Sequence, residues 1–145
     1  MRPLSTIVVL LLAISAAAQT PPDFTGHWQQ QTNSKLQLDI EQKGRDLRVK
    51  TAVTNADGTR KLEVNYVIGG SKTSYKGLDG DQFRSSAHWD ASSLVFDTIE
   101  VEKSNEIPQK AVWTLSPDGN VLQVNREITK YGRTSHSLTT YIRQP

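Results

Sequence analysis

The chain has 145 residues, 17 Lys plus Arg against 15 Asp plus Glu, and no cysteine. The length suits one ordinary domain with its own core. The missing cysteines exclude disulfides, a thiol nucleophile and thiolate-bound metal, and the scattered charge, net +2, excludes the concentrated basic face that nucleic acid requires.

Residues 1–18 read as a removable export signal. Arg2 is their one charge, Ile7 to Ile14 is an unbroken apolar run, and Ala16-Ala17-Ala18 supplies the small-x-small pattern of a cleavage site after Ala18. The run is too short to span a bilayer, so no membrane span is expected after cleavage. Such a leader sends the chain to the periplasm or outside the cell.

Residues 19–25, with Thr20-Pro21-Pro22, read as an extended tether. From Gly26 to Pro145 the chain reads as strand after strand. Leu36, Leu38 and Ile40 alternate with polar residues, as do Leu47, Val49, Thr51 and Val53, then Leu62, Val64, Tyr66 and Ile68. Phe83, Ala87 and Trp89 share one phase. Leu94 and Phe96 fall on one face and Ile99 and Val101 on the other, which predicts a bulge near Asp97–Thr98. Lys103 to Gln109 is polar, contains Pro108 and reads as a long loop. Ala111, Trp113 and Leu115 resume the alternation, followed by Leu122, Val124 and Ile128, then Leu138 and Ile142 opposite Tyr141. Turn chemistry separates these runs at Lys43-Gly44-Arg45, Asn55-Ala56-Asp57-Gly58, Gly69-Gly70, Leu78-Asp79-Gly80-Asp81, Ser116-Pro117-Asp118-Gly119 and Tyr131-Gly132. Period two throughout means one buried and one wet face per strand, and such short loops join antiparallel neighbours. The expected fold is all-β: a single antiparallel up-and-down β-barrel of about 8–10 strands without lid helices, closed because closure removes exposed edges.

The opening Asp23-Phe24-Thr25-Gly26-His27-Trp28 carries a Gly-x-Trp at the start of the first strand. This resembles the lipocalin and fatty-acid-binding barrel superfamily. The resemblance implies that Trp28 plugs one end of the barrel behind Gly26, and that Arg143 packs over it. The chain also resembles a group of exported bacterial domains. Those begin Asp-Phe-x-Gly-x-Trp and continue with elements matching Trp89-Asp90-Ala91-Ser92-Ser93-Leu94-Val95 and Trp113-Thr114-Leu115-Ser116-Pro117-Asp118-Gly119. Only Thr32 to Lys35 separate the first two strands, so the helix pair of the fatty-acid binders has no room.

The resemblance implies an exported, non-enzymatic binder of a small hydrophobic or amphipathic ligand. No cofactor is expected, and the chain is expected to be a monomer or weak homodimer. Trp28, Tyr66, Phe83, Trp89, Phe96 and Trp113 are the candidate cavity aromatics. Arg126 shares a phase with Leu122 and Val124, and a guanidinium turned inward would serve an anionic group. His136 shares a phase with Leu138 and is expected to point inward, while His27 and His88 point outward. The three therefore do not converge, and no metal site is expected. Two alternatives stay open. One is a filled barrel acting as an envelope interaction or inhibitor module through its outer face. The other is a barrel-mouth hydrolase or isomerase, which requires Asp97, His136 and Tyr66 to cluster.

Overall fold

The computed structural model describes residues 20–145; the export signal, its cleavage point after Ala18 and Gln19 lie outside the described residues. Ten strands follow one another: β1 (Gly26–Gln30), β2 (Leu36–Lys43), β3 (Asp46–Asn55), β4 (Gly58–Val67), β5 (Thr73–Lys76), β6 (Gln82–Asp90), β7 (Ser93–Glu102), β8 (Asn105–Leu115), β9 (Val121–Lys130) and β10 (Arg133–Gln144). All pairings are antiparallel, and the sheet order is β4-β3-β2-β1-β10-β9-β8-β7-β6-β5. The meander therefore closes through β1 and β10, leaving a seam between β4 and β5. Two hydrogen bonds tack that seam: Gly69 N–H to the Ala87 carbonyl at 2.7 Å and the Thr73 hydroxyl to the Asn65 carbonyl at 3.0 Å. The result is the expected up-and-down barrel, nearly closed and free of helices among the described residues.

Connections alternate between two ends. Turns at 44–45, 91–92 and 116–120 mark a closed end, and 31–35, 56–57, 77–81, 103–104 and 131–132 rim an open end. The closed end is filled with side chains. Leu38, Ile40, Leu47, Val49, Ile68, Ala87, Leu94, Phe96, Trp113, Leu122 and Val124 all face inward and are buried. Phe24 joins them with no exposed surface. Its N–H donates to Gln42 Oε1 at 3.0 Å, and Gln42 Nε2 donates to the Pro22 carbonyl at 3.1 Å. The segment read as a tether contributes a core residue.

The Gly26/Trp28/Arg143 arrangement forms at this end. Trp28 is 1% exposed and donates its indole N–H to the Phe24 carbonyl at 3.0 Å. The Arg143 guanidinium lies 4.3 Å above the Trp28 ring. Its Nε donates to the Gly119 carbonyl at 2.9 Å, and its Nη1 to the Thr25 carbonyl. Gly26 has φ +150°, and a Cβ there would collide with that guanidinium, so the glycine makes room for the cation.

Three expectations are corrected. First, β7 carries no bulge: its pairing with β6 and β8 is unbroken, so Thr98 and Glu100 face inward with Phe96, while Ile99 and Val101 face outward. The interior is polar toward the open end, which a rule of apolar-inside could not anticipate. Second, Lys103 to Gln109 is not a long loop. Lys103 and Ser104 form a two-residue turn with positive φ at both positions, and β8 starts at Asn105. Pro108 pairs with Ile99 on β7, and the pairing of β8 with β9 begins only at Gln109, so the missing N–H costs that ladder nothing. Third, the faces of β10 are inverted. Tyr141 pairs with Leu122 and is buried, whereas Leu138 is 57% exposed on the outer wall.

Candidate functional site

Above the filled end, the barrel holds a cavity of about 480 Å³ that opens toward the rim. Tyr66 of β4, Tyr75 of β5, Phe83 of β6, Phe96 of β7, and Ala111 and Trp113 of β8 form its walls. The aromatics interlock: Tyr66 meets Phe96 edge-on at 5.1 Å, Phe96 meets Trp113 at 4.6 Å, and Tyr75 stacks on Phe83 at 5.3 Å. Gly77, where the chain leaves β5, lies so close to the Phe83 ring that any Cβ would strike it. The 77–81 turn is thereby drawn down against this part of the wall.

Polar groups share the same walls. The hydroxyls of Ser85 and Thr98 hydrogen-bond at 2.7 Å, and Gln109 Nε2 donates to Glu100 at 2.6 Å. Burial pushes the Tyr66 and Tyr75 hydroxyls up, so both stay protonated donors; the Arg126 charge works against that rise in each. Tyr141, likewise raised by burial, feels the same cation. Arg126 projects from the inner face of β9 at the rim, opposite Ala111 and Ser137. Among the described residues no carboxylate lies within ion-pair distance of it. Across the cavity, carboxyl oxygens of Asp79, Asp81 and Glu100 lie within 4.8 Å of one another. Burial, then the hydrogen bond to Asp81 and the charges of Asp79, Asp81 and Glu102, raise the Glu100 pKa.

Of the residues singled out in the sequence, Tyr66, Phe83, Phe96, Trp113 and Arg126 meet around this cavity. Trp28 and Trp89 do not: Trp28 sits under Arg143, and Trp89 stacks on Phe24 at 6.1 Å in the filled end. His136 is corrected outright. It pairs with Glu127 on the outer wall, 72% exposed, with Nδ1 3.8 Å from that carboxylate, because the register of β10 puts its odd-numbered residues inside. Tyr75, Ser85, Thr98, Glu100, Gln109 and Ile128 also line the cavity. Ser85 was legible, since it shares the phase of Phe83 and Ala87. Tyr75 sits on a four-residue strand too short to display a period.

The hydrolase constellation is dispersed. Asp97 faces outward beside His88 at 3.4 Å, His136 is outside on another strand, and Tyr66 is inside. His27 is also outside, 3.5 Å from Asp39. A broader hollow of about 870 Å³ crosses the outer wall of β1–β4, lined by outward Asp39, Lys50, Lys61 and Glu63; it also reaches Trp28, whose ring is 1% exposed and covered by Arg143.

No family model matches the sequence, and no curated protein matches it. Solved structures do match in shape. A fatty acid transporter titled REP1-NXSQ superposes with a TM-score of 0.65 at 10% identity, over 84% of this chain and 96% of that one. Zebrafish ileal bile-acid-binding protein, complexed with cholic acid, gives 0.61 at 12% identity over 83% and 98%. Secretory abundant heat soluble protein 4 from Ramazzottius varieornatus gives 0.63 at 15% identity over 89% and 100%. At these identities the likeness establishes the barrel fold.

Proposed function

We propose that this chain is an exported, non-enzymatic carrier of one small amphipathic molecule with an anionic end. The observation that carries the reading is the cavity of about 480 Å³, where aromatic faces meet a guanidinium that has no carboxylate partner among the described residues. That volume falls within the range of small-molecule sites. An apolar body would lie against Phe83, Phe96 and Trp113. The anionic end would reach Arg126, with the Tyr66 and Tyr75 hydroxyls as further donors. Two of the similar solved structures are titled as a fatty acid transporter and a bile-acid-binding protein, which supports the ligand class. Export rests on Arg2, the apolar run and the Ala16–Ala18 site in the sequence.

Isothermal titration with a panel of fatty acids and steroid carboxylates, followed by Trp fluorescence, tests the binding. At least one probe should bind, and Arg126→Ala should weaken it about tenfold to a hundredfold, as expected for loss of a charge-assisted contact. No binding across the panel, or binding indifferent to Arg126→Ala, would overturn the proposed site. N-terminal sequencing of the protein recovered outside the cytoplasm should start at Gln19; an intact Met1 would overturn the export reading.

A further inference from the structure

The barrel wall has a notch beside β10. β10 runs from Arg133 to Gln144, yet β1 pairs with it only from Tyr141 to Gln144, and one more bond joins Gln31 N–H to the Thr140 carbonyl at 2.8 Å. From Arg133 to Thr139, β10 pairs with β9 alone. Residues 133–138 are all exposed, so this stretch of β10 is open on both faces. Because Thr140 turns its carbonyl to the β1 side, strand alternation turns the N–H and carbonyl groups of Thr134, His136 and Leu138 to that side too. Among the described residues no strand pairs with these six groups, which form a free edge where a longer β1 would otherwise run. An edge of this length is a template for another strand.

We propose that this edge pairs with the same edge of a second copy of the chain, antiparallel about a two-fold axis through His136. The free groups are symmetric about that residue. The axis sets Thr134 opposite Leu138 of the other copy, His136 opposite His136, and Leu138 opposite Thr134, so all six groups on each copy find partners. The ladder runs from Arg133, opposite Thr139, to Thr139, opposite Arg133, and stops where β1 begins. Each copy thus fills the notch of the other, an isologous interface.

The side chains agree with this register. Ser135 meets Ser137, small residues on the inner face, and Arg133 meets Thr139, so no arginine opposes another cation. Leu138, 57% exposed at the edge, comes under the Thr134 methyl group. Each His136 keeps its own Glu127 at 3.8 Å on the side away from the axis. Tyr131, 72% exposed at the ribbon tip, arrives beside the 31–35 loop of the other copy. A second copy is favoured over an unrelated extended peptide because the unpaired stretch 133–139 is centred on His136, so one two-fold axis fills both notches at once and sets Arg133, its one Lys or Arg, against Thr139.

Sedimentation velocity across a wide concentration range tests the pairing. The wild-type chain should pass from monomer to dimer as concentration rises. Thr134→Lys/Leu138→Lys sets lysine against lysine twice and should weaken the dimer at least about tenfold, like charges opposed across strands being destabilising. Thr134→Asp/Leu138→Lys sets opposite charges in the same two places and should dimerise at least as well as wild type. Both sites are exposed strand positions, and circular dichroism of each variant verifies folding. A wild-type chain that stays monomeric overturns the proposal. So does a double-lysine variant that dimerises normally, which would place the interface elsewhere, and so does failure of the Asp/Lys pair to restore association.

Discussion

Phe24→Ala tests whether the segment ahead of the first strand belongs to the core. Phe24 has no exposed surface, lies 5.8 Å from Trp113 and 6.1 Å from Trp89, and its carbonyl accepts the Trp28 indole N–H. Truncating a fully buried Phe removes its transfer free energy and leaves a cavity, together about 3–5 kcal/mol. Domains of this size unfold with total stabilities of about 5–15 kcal/mol, so the loss is a large share. At roughly 3–4 °C per kcal/mol, the midpoint of thermal unfolding should fall by about 9–20 °C. Urea unfolding followed by Trp emission is the assay, and it has a built-in local reporter: Trp28, Trp89 and Trp113 all border the site, so native emission should shift as well. Phe24→Leu keeps most of the volume and should cost less than half as much. A loss below about 1 kcal/mol with unchanged emission would refute the reasoning and return residues 20–25 to the role of a loose tether.

Arg143→Ala removes a cation–π contact and two hydrogen bonds to carbonyls that close the barrel end; it should cost about 2–3 kcal/mol in urea unfolding. Arg143→Lys should recover only part, since an ammonium lacks the fork that reaches Gly119 and Thr25 together. Glu100→Gln addresses pH. Burial and neighbouring carboxylates raise the folded-state pKa of Glu100, so the folded protein favours the protonated form, and its stabilising contribution is lost as pH rises through that raised value. The variant should therefore be more stable than wild type at neutral pH, with no advantage below pH 4.5, the ordinary value; equal unfolding curves at neutral pH would contradict this. Gly77→Ala should loosen the 77–81 turn from the Phe83 ring, seen as faster hydrogen exchange at residues 77–81.

The barrel was legible because its physics is local. Period-two patterning from Leu36 to Ile128 and Gly- or Pro-containing turns require antiparallel neighbours, and ten short-linked strands close. Two of the failures, on β7 and β10, share one cause. The sequence pattern assumes an apolar interior, and this interior becomes polar toward its open end. Thr98 and Glu100 face inward, so the phase of β7 looked broken when it was continuous. On β10 the outward Leu138 and Ile142 outvoted the inward Tyr141, which reversed the face and carried His136 with it. Pro108 argued for a loop, but it lies where β8 lacks its second neighbour. The site was half legible: aromatic phase placed Tyr66, Phe83, Phe96 and Trp113 inside. Which of the inward aromatics line the cavity and which fill the closed end depends on Phe24, whose burial follows from the Gln42 side chain gripping the Phe24 N–H and the Pro22 carbonyl.

The most direct test of the binding reading is native mass spectrometry of the protein isolated gently from the cells that make it. A discrete additional mass, released as an anion on activation and retained poorly by Arg126→Ala, is the predicted result. A bare protein mass from every preparation, with no uptake when amphipathic carboxylates are added, would contradict it and leave the cavity a solvent-filled recess in a barrel that works through its outer surface.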